Sequence, residues 1–564
     1  MLRAAWKVSE SEVAIVVEPR VLSSHEIQWD QKGNDIDGEA AGDYSGTSVS
    51  LSNDGTVVAI GADSNDGNGF TSGHVRIYAW GVSSSWVQMG ADIDGEAGND
   101  LSGGSVSLSN DGTVVAIGAL GNDGNGASTG HVRIYAWDSP SWVQMGADID
   151  GEAAVDDSGY SVSLSSDGTV VAIGARYNDG NGFNSGHVRV YAWDDSTSWD
   201  QMGADIDGEA RGDLSGWSVS LSSDGTVVAI GAYANDGNGS RSGHVRVYAW
   251  GVSSSWVQRG ADIDGEDEDD VSGDSVSLSN DGTVVAIGAL GNDGNGSKSG
   301  HVRVYVWISP SWVQRGADID GEDEDDLSGV SVSLSNDGTV VAIGAEENDG
   351  NGSNSGHVRV YAWAGSPSSW VQMGADIDGE AAGDYSGTSV SLSSDGTVVA
   401  IGAYGNGGVN GNASGHVRVY SSFRTFNIVS SFKFDDSRRQ WCLQAKNVRV
   451  NAKFNMRPCI HSRSKQKFYL DEHDQLRLRD YPTYCMRWKK KAIYLGYCPV
   501  GTETSKAKFI YEKDHQRFIV QKPRFRYLLG VSIHNKYEKV RLFKQGGNIN
   551  DSTKSWSLQF GQQK

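Results

Sequence analysis

Polar and apolar positions alternate in short runs along most of the chain. The first complete run, SGTSVSLS from Ser45 to Ser52, predicts one strand with two different faces. Asn53-Asp54-Gly55 predicts a tight hairpin turn. TVVAIGA, Thr56 to Ala62, is almost continuously apolar and predicts a strand buried on both faces. A Gly/Asn loop follows, and HVRIYAW, His74 to Trp80, alternates again. GVSSS then turns into a fourth expected strand, SWVQMGADI, Ser85 to Ile93. Useful lengths of helical, 3.6-residue periodicity are not found.

This unit recurs. GHVR appears with its histidine at His74, His131, His187, His244, His301, His357 and His416, a period of about 57 residues. DIDGE accompanies it, beginning at Asp35, Asp92, Asp148, Asp205, Asp262, Asp318 and Asp376. Four antiparallel strands, seven times over, predict an all-β, seven-bladed β-propeller. The seventh HVRVY ends at Tyr420 with no SWVQ strand behind it, whereas Ile27-Gln28-Trp29-Asp30-Gln31 matches that strand and precedes the first blade. The N-terminal strand is therefore expected to complete the last blade and close the ring. The pattern SGxSVSLSxDGTVVAIGA…SGHVRVYAW resembles the FG-GAP repeats of integrin α-type propellers over residues 27–424. That family often carries an Asp-rich calcium loop in the first hairpin of a blade. Here the hairpin is only SNDGT or SSDGT, and the family calcium site is not carried over.

Composition changes the picture beyond the repeats. The net charge of −25 conceals a reversal. Residues 1–424 hold 18 Lys+Arg against 61 Asp+Glu, and residues 425–564 hold 29 against 11. A boundary is expected near Thr425, giving an N-terminal extension at 1–26, a propeller at 27–424 and a small basic domain at 425–564. All four cysteines, Cys442, Cys459, Cys485 and Cys498, lie in the basic part. Without CxxC spacing they read as two disulfides and an oxidising, extracellular or secretory compartment. Sequons at Asn238, Asn295, Asn351, Asn412 and Asn550 are compatible with secretion. Val13–Val17 is too short for a signal core, and no segment reaches the ~18 apolar residues of a membrane span.

Residues repeated identically in all blades are expected to be scaffold, and a binding site is expected to break the symmetry. On that criterion the seven GHVR histidines read as hydrogen-bonded structural groups, and Trp pairs such as Trp80 with Trp86 as packing across the last hairpin. Asp35, Asp37, Glu39 and Asp43 offer hard oxygens for calcium; the alternative is a solvated acidic loop bonding nearby amides. Glu266–Asp270 and Glu322–Asp326 are richer versions of the same loop, suited to cations or a basic partner. Arg211-Gly212-Asp213 reads as a variant of the AAGD found elsewhere at that position. The S-x-D-G-T hairpins lack the rest of a sialidase Asp-box, and Ser-His-Asp, HExxH and P-loop patterns are absent, so no enzyme is expected.

The basic part has three sub-repeats ending at Gln466-Lys467-Phe468, Ala507-Lys508-Phe509 and Lys554-Ser555-Trp556. It resembles a ricin-type β-trefoil. The resemblance implies the disulfides Cys442–Cys459 and Cys485–Cys498, with Leu529 and Phe543 as the apolar substitute in the third lobe. The family's sugar site needs an acid shortly after the first cysteine of a lobe, where this chain has Gln444, Arg487 and Val531. The expected sugar residues are then Gln444, Lys465 and Gln466, with Lys489, Lys490 and Lys491 selecting sulfated or carboxylated glycans. The sequence as a whole implies an extracellular recognition protein whose trefoil binds glycans or glycoproteins and whose propeller loops contact other proteins. The disulfides and the acidic neighbour argue against nucleic acid. A glycan hydrolase and a calcium-dependent adhesion protein are the alternatives; the hydrolase requires a convergent acid cluster that breaks the sevenfold symmetry.

Overall fold

The computed structural model describes residues 27–424, apart from 82, 195–196 and 366–367, with side chains through Ser422. Beyond that it describes the backbone of strands between Phe426–Asn427 and Tyr537–Lys544. Trp29–Ser422 forms one compact unit, and the strands beyond it belong to another. Among the described residues no helix is long and apolar enough to cross a membrane.

Seven antiparallel sheets make up the ring. From the axis outward, blade 1 consists of Ser48–Leu51, Val57–Ala62, His74–Trp80 and Trp86–Gln88. Blade 7 consists of Ser389–Leu392, Val398–Ala403 and His416–Arg424, and its outer strand is the N-terminal Ile27–Gln31. The expected closure is thus observed, and it uses the contacts of an ordinary blade. Trp29 Nε1 donates to Met373 O at 2.7 Å, as Trp86 Nε1 donates to Lys32 O at 2.7 Å.

The fourth strand is shorter than its pattern suggests. It stops at Gln88 and resumes only as Ile93–Asp94, which pairs with His74 and Val75. Gly90 between them takes φ +78°, and a Cβ there would lie 3.0 Å from Trp137 of the next blade. The backbone breaks to let that tryptophan in.

The second strand explains the invariant AIGA. Ile60, Ile117, Ile173, Ile230, Ile287, Ile343 and Ile401 are at most 1% exposed and fill the space between blades with Val and Leu from both sides. The glycine follows because a Cβ on Gly61 would lie 1.9 Å from Gly103 O of blade 2. Neighbouring inner strands are bonded directly: Leu108 N donates to Ser50 Oγ at 2.9 Å, and the same bond recurs at every interface, back to Leu51 N and Ser391 Oγ at 2.9 Å. A second closed circle joins the hairpin tips at one end of the axis, from Asn53 N to Asn110 O at 2.7 Å round to Ser394 N and Asn53 O at 2.8 Å.

The third strand carries the clasp. Arg76 is 6% exposed, and its Nη2 donates to Asp37 O at 2.8 Å while its Nη1 lies 3.5 Å from Glu39. Asp37 itself pairs with His416 of blade 7, so this arginine of blade 1 grips the segment that leaves blade 7. Arg133, Arg189, Arg246, Arg303, Arg359 and Arg418 repeat the bond at 2.6–2.8 Å. A charge-assisted bond from a buried guanidinium is strong, and removing it strands the acceptor.

The trefoil expected at 425–564 cannot be matched to described side chains. Cys442, Gln444, Cys485 and Lys489 fall in strands known by backbone only, and Cys459, Lys465, Gln466, Lys490, Lys491 and Cys498 lie outside the described residues.

Acid should loosen the ring. The histidine beside each clasp is 1–2% exposed. Burial, reinforced by the neighbouring arginine, pushes its pKa down, to about 4 for His187, His357 and His416. Unfolded histidine titrates near 6.5, so between those values the unfolded chain holds more protons and stability drops as pH falls. The urea midpoint of the full chain is expected to decline steadily from pH 7 to pH 4.5. A midpoint independent of pH would contradict buried, neutral histidines.

Candidate functional site

Many positions of the ring are repeated in all blades, and several of the repeated polar residues bond to one another, although Ser45 Oγ and its six equivalents are buried without a hydrogen-bond partner among the described residues. Asp54 of the first hairpin accepts from Thr56 N at 3.0 Å, Thr56 Oγ1 at 2.6 Å and Ser52 Oγ at 3.0 Å. Burial alone would raise its pKa, but these bonds outweigh it and hold the carboxyl below its usual value. It serves the turn.

The four acids proposed for calcium do not converge. Asp35 accepts from Gln31 Nε2 at 2.6 Å and groups with Glu380 and His416 of blade 7. Glu39 groups with His74 and Asp92 of blade 1. Asp37 presents its carbonyl to Arg76. Asp43, 4% exposed, accepts from Ala40 N at 2.9 Å and Asn65 Nδ2 at 3.0 Å. The Glu/His/Asp groups recur round the ring, each with ligand atoms within 4.8 Å. In the one at Glu39 the positive charge is already supplied by Arg76. Arg211-Gly212-Asp213 cannot present its carboxylate, since Asp213 is 4% exposed and bonded to Ala210 N and Asn235 Nδ2. The Glu266–Asp270 loop is tied back at Asp269 by Arg241 at 2.7 Å.

Symmetry fails at several loops, and one set of variable positions surrounds the axis. Each inner strand is entered through a turn X-Ser-Gly-X, and each second strand ends in AIGA-X-X. The X positions lie at the end of the inner hairpin opposite the Asn/Ser circle, and therefore ring one mouth of the axis. The first X is held at φ 52–57° in all seven blades, by Tyr44, Leu101, Asp157, Leu214, Val271, Leu327 and Tyr385. Glycine would take that conformation freely, and a side chain is kept there at a cost in strain. The next X is Thr47, Gly104, Tyr160, Trp217, Asp274, Val330 and Thr388. After AIGA stand Asp63, Leu120, Arg176, Tyr233, Leu290, Glu346 and Tyr404.

The chemistry concentrates in two sectors. On blades 3 and 4, Arg176 lies 3.8 Å over Tyr160, 4.5 Å over Tyr177 and 5.0 Å over Trp217, and pairs with Asp157 at 3.0 Å. Trp217 stacks on Tyr233 at 4.2 Å and 15°. Its Nε1 donates at 2.9 Å to Asp274 of blade 5. On blades 6, 7 and 1, Tyr404 stacks on Tyr385 at 5.2 Å and meets Tyr44 edge-on at 5.7 Å. Beside them are Glu346 and Glu347, whose charges bear on Tyr404.

Asp274 and Glu346 link the sectors. Loss of water around Asp274 raises its pKa to about 7; the Trp217 bond opposes the rise and the Glu346 charge adds to it. Burial also raises Glu346, against a bond from Thr388, and its Oε2 is buried with no hydrogen-bond partner among the described residues. Burial likewise raises Tyr160 and Tyr404. These X positions hold five carboxyls, Asp63, Asp157, Asp274, Glu346 and Glu347, against the single guanidinium of Arg176. An acidic, aromatic, half-dry mouth can stack a flat apolar ring face and accept hydrogen bonds from hydroxyls or an amine.

With this geometry established, the relatives fall into place. The FG-GAP repeat family model matches residues 205–248, which run from the DIDGE of Asp205 to the HVRVY ending at Tyr248. Its residues recur in every blade. This stretch of the ring is thus similar to an FG-GAP repeat. No curated protein matches the chain. Among solved structures, a candidate 6-phosphogluconolactonase of Bacteroides uniformis superposes with a TM-score of 0.42 at 11% identity, covering 59% of this chain and 85% of that one. The family pattern governs the repeated positions of the propeller and leaves the X positions free.

Asp274 supplies a direct check on the mouth. Its folded pKa lies above the ordinary 3.8, so the folded state keeps a proton between those values and ionisation costs stability above them. Trp217 fluorescence is expected to titrate with a midpoint near 7 and to lose that step in Asp274→Asn. The same variant should melt roughly 2–5 °C higher at pH 8 and unchanged at pH 4. An unchanged fluorescence titration in the variant would remove Asp274 from the account.

Proposed function

We propose that the protein is an extracellular recognition protein whose FG-GAP propeller seats a carbohydrate ligand on the axial mouth. One observation carries the reading: the X positions round one mouth differ from blade to blade on a repeated inner frame, and in two sectors they are aromatic or ionisable. Carbohydrate faces are apolar and their rims are hydroxyls. Trp217 and Tyr233 offer a stacking surface, and Asp274 and Glu346 offer acceptors. Because Arg176 is already matched by Asp157, the mouth favours neutral or amine-bearing sugars over sulfated ones. The expectation of anionic glycans belongs to the basic C-terminal part, where Lys489, Lys490 and Lys491 would hold them.

A specific observation also favours glycan hydrolysis as a second reading. Asp274 and Glu346 stand on adjacent blades, burial raises the pKa of each and the Glu346 charge raises Asp274 further, and a pair of carboxyls of which one keeps its proton is the usual acid–base equipment of glycosidases.

The full chain on a glycan array, followed by incubation with chromogenic glycosides, separates the two. Binding to neutral or amino sugars that weakens about tenfold in Trp217→Ala, with no turnover, supports recognition. Turnover lost in both Asp274→Asn and Glu346→Gln would replace it with hydrolysis. Binding that survives Trp217→Ala but disappears in Lys489/Lys490/Lys491→Ala would move the site to the C-terminal part.

A further inference from the structure

We propose that Asn412 is the N-glycan acceptor of the propeller and that the other three sequons on the ring are structural. The proposal rests on the extracellular reading above only for the native cell.

Each blade has a loop between its second and third strands with the pattern N-x-G-N-G. The second asparagine is exposed, and its side-chain amide donates to the backbone of the DIDGE loop. Asn68 Nδ2 donates to Gly95 O at 2.9 Å, Asn125 to Gly151 O at 3.0 Å and Asn181 to Gly208 O at 2.9 Å, and none of these is in a sequon. Asn238, Asn295 and Asn351 make the same bond, to Gly265 O at 2.8 Å, Gly321 O at 2.7 Å and Gly379 O at 2.8 Å. Their sequons exist only because serine happens to stand two residues on, at the variable tip. The nitrogen that would carry the sugar faces the neighbouring loop.

Blade 7 differs by one inserted residue. Val409, 86% exposed, lengthens the loop. Asn410 takes over the structural bond, to Gly38 O at 2.7 Å. Asn412 is thereby placed where the other blades carry Phe70, Ala127, Phe183, Ser240, Ser297 and Ser353. Like Asn238, Asn295 and Asn351 it is exposed, but its side-chain amide bonds to none of the described residues; its backbone carbonyl accepts from Gly42 N at 3.1 Å. Ala413 follows at φ 52° and passes its carbonyl to Tyr44 N at 3.2 Å. An oligosaccharide on Asn412 would stand beside Tyr44, on the rim of the mouth.

The test adds a secretion leader to the full chain, expresses it in a eukaryotic secretory host and maps occupancy of the folded, secreted protein by glycopeptide mass spectrometry. Asn412 should be occupied, Asn238, Asn295 and Asn351 bare, and Asn412→Gln should lose one glycan from the propeller. A bare Asn412, or a glycan on any of the other three, overturns the assignment. A second measurement uses unglycosylated protein from a bacterial host. Asn238→Ala, Asn295→Ala and Asn351→Ala should each lower the melting temperature by roughly 2 °C, whereas Asn412→Ala should not. Equal losses at Asn412 would show that its amide is structural too.

Discussion

The ring depends on one bond made seven times: the buried guanidinium of GHVR donating to the second aspartate carbonyl of DIDGE. Arg246 Nη2 to Asp207 O at 2.7 Å is typical. The segment it grips is the only covalent connection between one blade and the next, and it is paired on its other side with the previous blade's histidine strand. Burying an arginine is costly, and the cost is offset because the guanidinium also faces a carboxylate, Glu209, at 3.6 Å and a tyrosine ring, Tyr248, at 5.5 Å. The same arrangement forces the adjacent histidine to stay neutral.

Such economy leaves the axial mouth unconstrained. Inner strands are held by serine–amide bonds and by the glycine of AIGA, and neither involves the side chains at the X positions. Those positions can therefore hold glycine in blade 2 and tryptophan in blade 4 on the same backbone. The half-burial of Asp274, the stacking of Trp217 on Tyr233 and the Tyr44–Tyr385–Tyr404 cluster are local chemistry laid on an indifferent frame.

Much of the frame was legible because its physics is periodic. Alternation named the strands, the missing SWVQ of the seventh blade named the closure, and repetition marked His74 and its equivalents as structural. The fourth strand was overdrawn, because Gly90 breaks it to admit Trp137 and that requirement belongs to another blade. The calcium set was drawn from one loop, but spacing along a loop says nothing about which way each carboxylate turns: Asp35 turns to blade 7 and Glu39 to blade 1. The mouth was missed although its signal was present. Aligning the blades shows columns that vary at Thr47 and at Asp63 and Ser64, beside the repeated Ser-Gly and AIGA; only the inner hairpin's position on the axis shows that these columns form one ring.

The separation of frame from mouth is tested most directly by thermal unfolding of two variants of the full chain. In one, the mouth is made plain by Tyr160→Gly, Arg176→Leu, Trp217→Gly, Asp274→Thr and Glu346→Leu, each a residue that the same position holds in another blade. In the other, Arg246→Ala removes a single clasp. The plain-mouthed variant is expected to melt within a few degrees of the natural protein, and the clasp variant markedly lower. A plain-mouthed protein that fails to fold, or a clasp variant as stable as the natural protein, would contradict the account.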